Sequence, residues 1–177
     1  MERSGGSKPW EDVPNVWKDE KAYLNWLRSQ TRRIWSRHPI KIAYIQNKRY
    51  KAPVGRNGRE VWVTDCEMCG KQDRNCEVDH IKAGGSFSCW QTYTEWARRI
   101  LWVSLDDLRL LCKDCHASVT YADRHDISVE AARAIRTAIA ICKAREDKVW
   151  LVGRGVEPES TQAKRRKQVE EILLSEI

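Results

Sequence analysis

The chain has 177 residues, enough for one ordinary domain or a small domain with helical arms and too few for two large ones. Hydrophobic residues make up 41% and charged residues 32%, and no apolar run approaches the roughly 20 residues that a bilayer span needs. The opening MERSGGSKPWEDVP lacks the apolar stretch of a secretory signal, and a chain with nine Trp and only nine Gly is neither collagen-like nor disordered. A cytoplasmic protein without a membrane partner is expected. Lys plus Arg is 32 against 25 Asp plus Glu, a net charge of +7. The excess sits in one place. Residues 28–59 hold ten cations (Arg28, Arg32, Arg33, Arg37, Lys41, Lys48, Arg49, Lys51, Arg56 and Arg59) and no acid, while the rest of the chain is slightly acidic. A concentrated basic segment points to a polyanion, because neutralising phosphates releases counterions.

In chain order, residues 1–17 read as an irregular arm punctuated by Gly5, Gly6, Pro9 and Pro14. Residues 19–37 predict an amphipathic helix, with Tyr23, Leu24, Leu27, Thr31, Ile34 and Trp35 recurring at helical steps. Pro39 interrupts, and a second short helix is expected over 40–50. Lys51 to Gly58 reads as a basic loop, and residues 60–64 alternate as a strand. A helix is expected around 91–101. A clear one follows over 127–146, where Ile127, Ala131, Ala134, Ile135, Ala138, Ile139 and Cys142 share a face and Asp126 or Ser128 can cap the start. Gly153 to Pro158 is a linker, and Ser160 to Ile177 a last helix with the basic start Lys164, Arg165, Arg166 and Lys167, a weaker candidate for a second contact with the polyanion.

Seven cysteines form an odd set, and without a signal peptide a disulfide framework is not expected. Four of them make two identical knuckles, Cys66-Glu-Met-Cys69 and Cys112-Lys-Asp-Cys115. Two such knuckles suit a tetrahedral, all-thiolate zinc site, which has no open position and is therefore structural. Between them lies Val78-Asp79-His80-Ile81, and His116 follows Cys115 directly. A carboxylate beside an imidazole can divide labour, one holding a hard cation while the other takes a proton from water. In an extended segment the two side chains point to opposite sides. His38 in the basic arm and His125 before the next helix are the remaining histidines, each a weaker candidate for a phosphate contact or an extra ligand.

The order Cys66-x-x-Cys69, Val78-Asp79-His80-Ile81, Asp107-Leu108-x-Leu110-Leu111-Cys112-x-x-Cys115-His116 resembles the HNH endonucleases, most closely the small phage ones, some of them described as homing endonucleases. The specific match covers about 60–122, and a looser one extends over the arm from about 24 to 59. The resemblance implies an α+β fold in which a small zinc-stabilised ββα-metal core (60–122) is flanked by an N-terminal arm with a basic helical DNA-binding segment (1–59) and a C-terminal helical extension (123–177). It implies metal-dependent hydrolysis of phosphodiester bonds in double-stranded DNA by a monomer or weak dimer, in the host cytoplasm if the chain is phage-encoded. Carried over by position, Cys66, Cys69, Cys112 and Cys115 correspond to the structural zinc ligands and His80 to the general base. Asp79 and His116 correspond to ligands of a catalytic Mg²⁺, or of another divalent ion such as Mn²⁺. Two positions depart from the family pattern. Asp107 stands where Asn often braces the loop of the base, and Val119-Thr120 where Lys-Thr is frequent. The competing expectation is a non-enzymatic zinc-containing DNA-binding regulator. It accounts for the knuckles and the basic arm, and leaves Asp79, His80 and His116 without a role.

Overall fold

A computed structural model describes residues 7–54 and 57–177, the side chain of Val54 excepted. Arg56, one of the ten expected DNA-binding cations, and residues 1–6 of the N-terminal arm lie outside the described residues. The protein is mixed α+β with small sheets and divides into two compact units, 1–112 and 113–177. The division falls after Cys112, inside the expected 60–122 segment.

The first unit opens with α1 (Pro9–Asp12), a single turn where an irregular arm was expected. Pro9 is preorganised for the first helical position, and the Glu11 carboxylate accepts the Lys8 N–H at 3.1 Å, which together nucleate the turn. Helix α2 (Glu20–Ser36) starts where the Asp19 carboxylate accepts the Ala22 N–H at 2.8 Å. Of its expected apolar face, Leu24, Leu27 and Thr31 are buried, whereas Ile34 is 56% exposed. Helix α3 (Pro39–Lys48) follows.

Strands β1 (Tyr50–Val54) and β2 (Arg59–Asp65) form an antiparallel hairpin in which Lys51 faces Trp62 and Ala52 faces Val61. The basic loop expected from Lys51 onward is therefore a strand as far as Val54. Pro53 is compatible with it because β1 is an edge strand, where one face of the backbone needs no N–H for pairing. The short β3 (Gln72–Asp73) pairs with the other side of β2.

A second two-stranded sheet joins β4 (Glu77–His80) to β5 (Leu108–Leu111), with Asp79 opposite Arg109 and His80 opposite Leu108. Between these strands runs α4 (Trp90–Leu101) and then a 3-10 turn over Leu105–Asp107. Small cores hold the unit. Leu24, Leu27, Phe87 and Trp96 pack α2 against α4; Tyr44, Val78, Leu108 and Leu110 pack α3 against the β4–β5 sheet, with Trp35 at their edge.

The second unit is helical: α5 (Lys113–His125), α6 (Val129–Lys143), α7 (Asp147–Val152) and α8 (Gln162–Ser175). Ser128 caps α6, its Oγ accepting the Ala131 N–H at 3.1 Å. The single helix expected over 127–146 ends at Lys143, because Arg145 adopts a left-handed φ of 61° and redirects the chain into α7. Ala138, Leu151 and Val169 form a fully buried core, and Cys142 is buried as its place on the apolar face implies. No helix among the described residues is long and apolar enough to cross a membrane.

Candidate functional site

The four knuckle cysteines come together. The Sγ atoms of Cys66, Cys69, Cys112 and Cys115 all lie within 4.8 Å of one another, and those of Cys69 and Cys112 are 3.8 Å apart. A tetrahedral zinc with bonds of about 2.3 Å requires sulfur–sulfur edges of about 3.8 Å, so the donor set fits a structural metal such as zinc. Cys66, Cys112 and Cys115 are buried and Cys69 is exposed.

The first knuckle is shaped by its backbone. Gly70 N–H donates to the Cys66 carbonyl at 2.8 Å, and Gly70 itself sits at φ +69°, a conformation that L side chains rarely adopt. Glu67 N–H reaches the Leu110 carbonyl at 2.8 Å and ties the knuckle to β5. Burial pushes the Cys66 thiol up, but N–H groups of Cys112, Met68 and Cys69 aim at its sulfur and bring it down to about 6, which favours the thiolate a metal needs. In the second unit the Arg133 guanidinium donates to Cys115 Sγ at 3.3 Å. Among the described residues this is the one group of three or more His, Cys, Asp or Glu with converging ligand atoms.

Strand β4 separates Asp79 from His80 as period-two geometry requires. Asp79 shares its face with the cross-strand Arg109, whose Nε donates to Oδ2 at 2.9 Å and whose Nη2 forms an ion pair with the same oxygen at 2.9 Å. His80 lies on the other face. Its ring stands 4.4 Å from that of Trp35, and its Nε2 is 3.1 Å from the Ile100 carbonyl oxygen. A carbonyl only accepts, so Nε2 carries the proton of that bond and Nδ1 is the basic nitrogen of the neutral ring. The loop beside it is braced by the backbone: Ile81 N–H donates to the Asp107 carbonyl at 2.9 Å. The Asp107 carboxylate turns to Ser104 instead, accepting its N–H and Oγ–H at 2.8 Å each. Those two bonds, helped by the nearby Lys82 and His80, hold its carboxyl below the usual range. The loop is thus braced by the Asp107 main chain, while its side chain holds the turn at Ser104.

His116 stands half-buried in the first turn of α5, directly after Cys115. Val119 is buried on the same helix, which gives a packing reason for an apolar residue at that position. His125 stacks on Tyr121 at 4.1 Å. His38 leads into α3 beside Trp35, and its Nδ1 is buried without a hydrogen-bond partner among the described residues.

The basic segment is used unevenly. Arg28 turns inward, its guanidinium 4.7 Å from the Phe87 ring and donating to the Phe87 carbonyl at 2.9 Å. Lys48 pairs with Glu67 at 3.1 Å. Lys41 lies over Trp35 at 5.6 Å, and burial lowers its pKa. Arg49 and Lys51 flank the exposed Trp62 ring at 4.5 and 5.7 Å. Arg32, Arg33, Arg37 and Arg59 are exposed and make no ion pair with a described residue. Of the arm's aromatics, Tyr44 is buried with its hydroxyl on Glu67, Trp35 packs on His80, and Tyr50 bonds Asp65 from the surface.

Lys82, Arg99 and Trp102, which line a cleft of about 360 Å³ with His80, Val103 and Asp107, were not among the candidates drawn from the sequence. Nor were Trp62 and Arg109. Only the strand register and the return of α4 bring these residues to the site. The Lys82 spacing from the Asp79-His80 pair was the one local signal available. Compared with family models, with curated proteins and with solved structures, the chain gave no match.

Proposed function

We propose that this protein is a metal-dependent DNA endonuclease of the HNH type that hydrolyses phosphodiester bonds with His80 as general base. The observation that carries this reading is the setting of His80. Its ring is fixed by Trp35 and by the Ile100 carbonyl, its Nδ1 is the basic nitrogen, and it lines a cleft with the cations Lys82 and Arg99. Such a group is preorganised to take a proton from water beside a bound phosphate. Water loses its proton to Nδ1, the hydroxide oxygen bonds to phosphorus in line, and the bond to the 3′ oxygen breaks. That oxygen takes a proton from solvent, leaving 5′-phosphate and 3′-hydroxyl ends. Asp79 and His116 would hold a divalent ion such as Mg²⁺ or Mn²⁺, which would supply positive charge to the phosphate as negative charge grows on it. Arg109 orients the Asp79 carboxylate by a hydrogen bond from Nε and an ion pair through Nη2. Zinc on the four cysteines is structural in this reading. The succession β4, β5, α5, with His116 in the first turn of α5, supports the ββα arrangement expected from the sequence. The uncompensated cations of α2 and the β1–β2 hairpin supply the charge that meets the DNA backbone.

The test is conversion of supercoiled plasmid to open circle or linear DNA with Mg²⁺, Mn²⁺ or EDTA, by the wild type and by His80→Ala. Metal-dependent cleavage that falls at least about 100-fold in His80→Ala, with DNA binding and zinc content unchanged, is expected. Equal cleavage by His80→Ala overturns the assignment of the base. Salt-sensitive DNA binding without cleavage under any metal selects the non-enzymatic regulator instead.

A further inference from the structure

Trp102 is 82% exposed, far beyond the next most exposed tryptophans, Trp90 at 51% and Trp62 at 50%. An indole left in water forgoes the burial that normally decides where Trp sits. Its backbone is fixed: Trp102 caps the end of α4, its main-chain N–H donating to the Arg98 carbonyl at 2.8 Å. Among the described residues its ring makes no ring–ring or cation–π contact, although Lys82 and Arg99 line the same cleft. Trp102 lines two clefts, one of about 360 Å³ that contains His80 and one of about 400 Å³ with Leu101, Val103, Ser104 and Asp107.

The charge around it is positive where it can move. Lys82 makes no ion pair with a described residue, and Arg99 has only an exposed contact to Glu95 at 3.2 Å, which solvent screens. The one acid of the cleft, Asp107, has its carboxylate turned onto Ser104. An aromatic plane beside two cations is the combination that binds single-stranded nucleic acid, with bases on the ring and phosphates on the cations. An apolar peptide would leave both cations unused.

We propose that Trp102 stacks on a nucleobase next to the phosphate held by Lys82 and Arg99, so that the cleft takes DNA containing an unpaired nucleotide in preference to a regular duplex. The inference rests on reading the His80 cleft as the nuclease site and names the substrate feature it selects. Every base has a π face, so this preference is for an unstacked nucleotide rather than for a sequence.

The full chain carrying His80→Ala is titrated with two oligonucleotides, a perfect duplex and the same duplex with one unpaired 2-aminopurine. Affinity is read by anisotropy and stacking by quenching of 2-aminopurine. Adding Trp102→Ala is expected to weaken binding of the unpaired DNA about tenfold and to abolish quenching. Its effect on the perfect duplex should stay below about twofold, and Trp102→Phe should retain most of the preference. Unchanged affinity and quenching in Trp102→Ala overturn the inference, as does an equal loss on both DNAs. The plasmid assay on the protein with His80 intact separates the two readings. Cleavage without any dependence on Trp102 in the oligonucleotide assay keeps the nuclease and removes this site. Quenching that depends on Trp102, without cleavage, keeps the base-stacking site and removes the nuclease.

Discussion

Two basic stretches of this chain use their charge in opposite ways. At the start of α8, four consecutive cations each meet an acid. Lys164 reaches Glu159 at 3.5 Å, Arg166 reaches Glu170 at 2.9 Å, Lys167 reaches Glu171 at 3.8 Å, and Arg165 is buried on Asp147 and on the carbonyls of Glu159 and Ser160. In residues 28–59 no acid lies within the segment. Lys48 finds Glu67, and Arg28, Lys41, Arg49 and Lys51 rest on aromatic rings, while Arg32, Arg33, Arg37 and Arg59 have no described acidic partner. An acid four residues along a helix cancels a cation locally. A ring under a guanidinium holds it in place and leaves its N–H groups able to bind phosphate. A run of cations is thus a stronger nucleic-acid signal where the neighbouring sequence withholds acids, and by that measure α8 is a weaker candidate for a DNA contact than residues 28–59.

The contrast should be largest in stability. Asp147→Ala leaves the Arg165 charge buried and is expected to cost about 3–5 kcal/mol, read from urea unfolding. Arg32→Ala, at an exposed position with no partner to lose, should stay within about 0.5 kcal/mol. Comparable losses in the two variants would break the comparison.

In DNA binding the order should reverse. Replacing Arg32, Arg33 and Arg37 together by Gln is expected to weaken binding and to reduce the salt slope by about 0.9 for each phosphate no longer neutralised. The same change at Lys164, Arg166 and Lys167 should leave slope and affinity unchanged. Equal slopes for both triple variants, measured across a salt titration, would remove the special role of the acid-free segment.

A smaller effect is expected at Trp62. Trp62→Ala removes the ring between Arg49 and Lys51 and should cost about 1 kcal/mol in stability, with a few-fold loss of DNA affinity. Unchanged DNA affinity would limit the ring to packing.

The smallest concerns Glu67, which Lys48 shares with the Tyr44 hydroxyl. Burial and the Glu67 hydrogen bond push the Tyr44 hydroxyl up to about 12 from its ordinary value of 10. A pKa raised in the folded state contributes stability that is complete below pH 10 and is lost as the pH climbs through 12. Alkaline unfolding should therefore steepen in that window for the wild type and flatten in Tyr44→Phe, as followed by circular dichroism.

Much of the architecture was legible where the cause is local. Helix α2 follows from its apolar spacing and the Asp19 cap, and α6 from its spacing and Ser128. The cysteine cluster follows from two knuckles, because a Cys-x-x-Cys turn needs only its own backbone. Strand β1 was hidden by Pro53 and the glycines after it, whose turn signal outweighed a pairing visible only once β2 lies alongside. Arg28 reads as a surface cation until Phe87, 59 residues on, arrives over it. The exposed Trp102 had no signal at all, since its neighbours along the chain are ordinary helix-end residues.

By itself the sequence determined the identity and spacing of the chemistry-bearing groups: the paired knuckles, the adjacent Asp79 and His80 on opposite faces of a strand, and a ten-cation segment without acids. These depend on covalent order and on the two-residue period of an extended chain. Only the tertiary structure decided which groups they answer to. The register of β4 against β5 sets Arg109 on Asp79, and the return of α4 brings the Ile100 carbonyl to His80 Nε2 and so makes Nδ1 the basic nitrogen. Hydrogen bonds act over about 3 Å, and no pattern along the chain specifies which distant atoms will come that close.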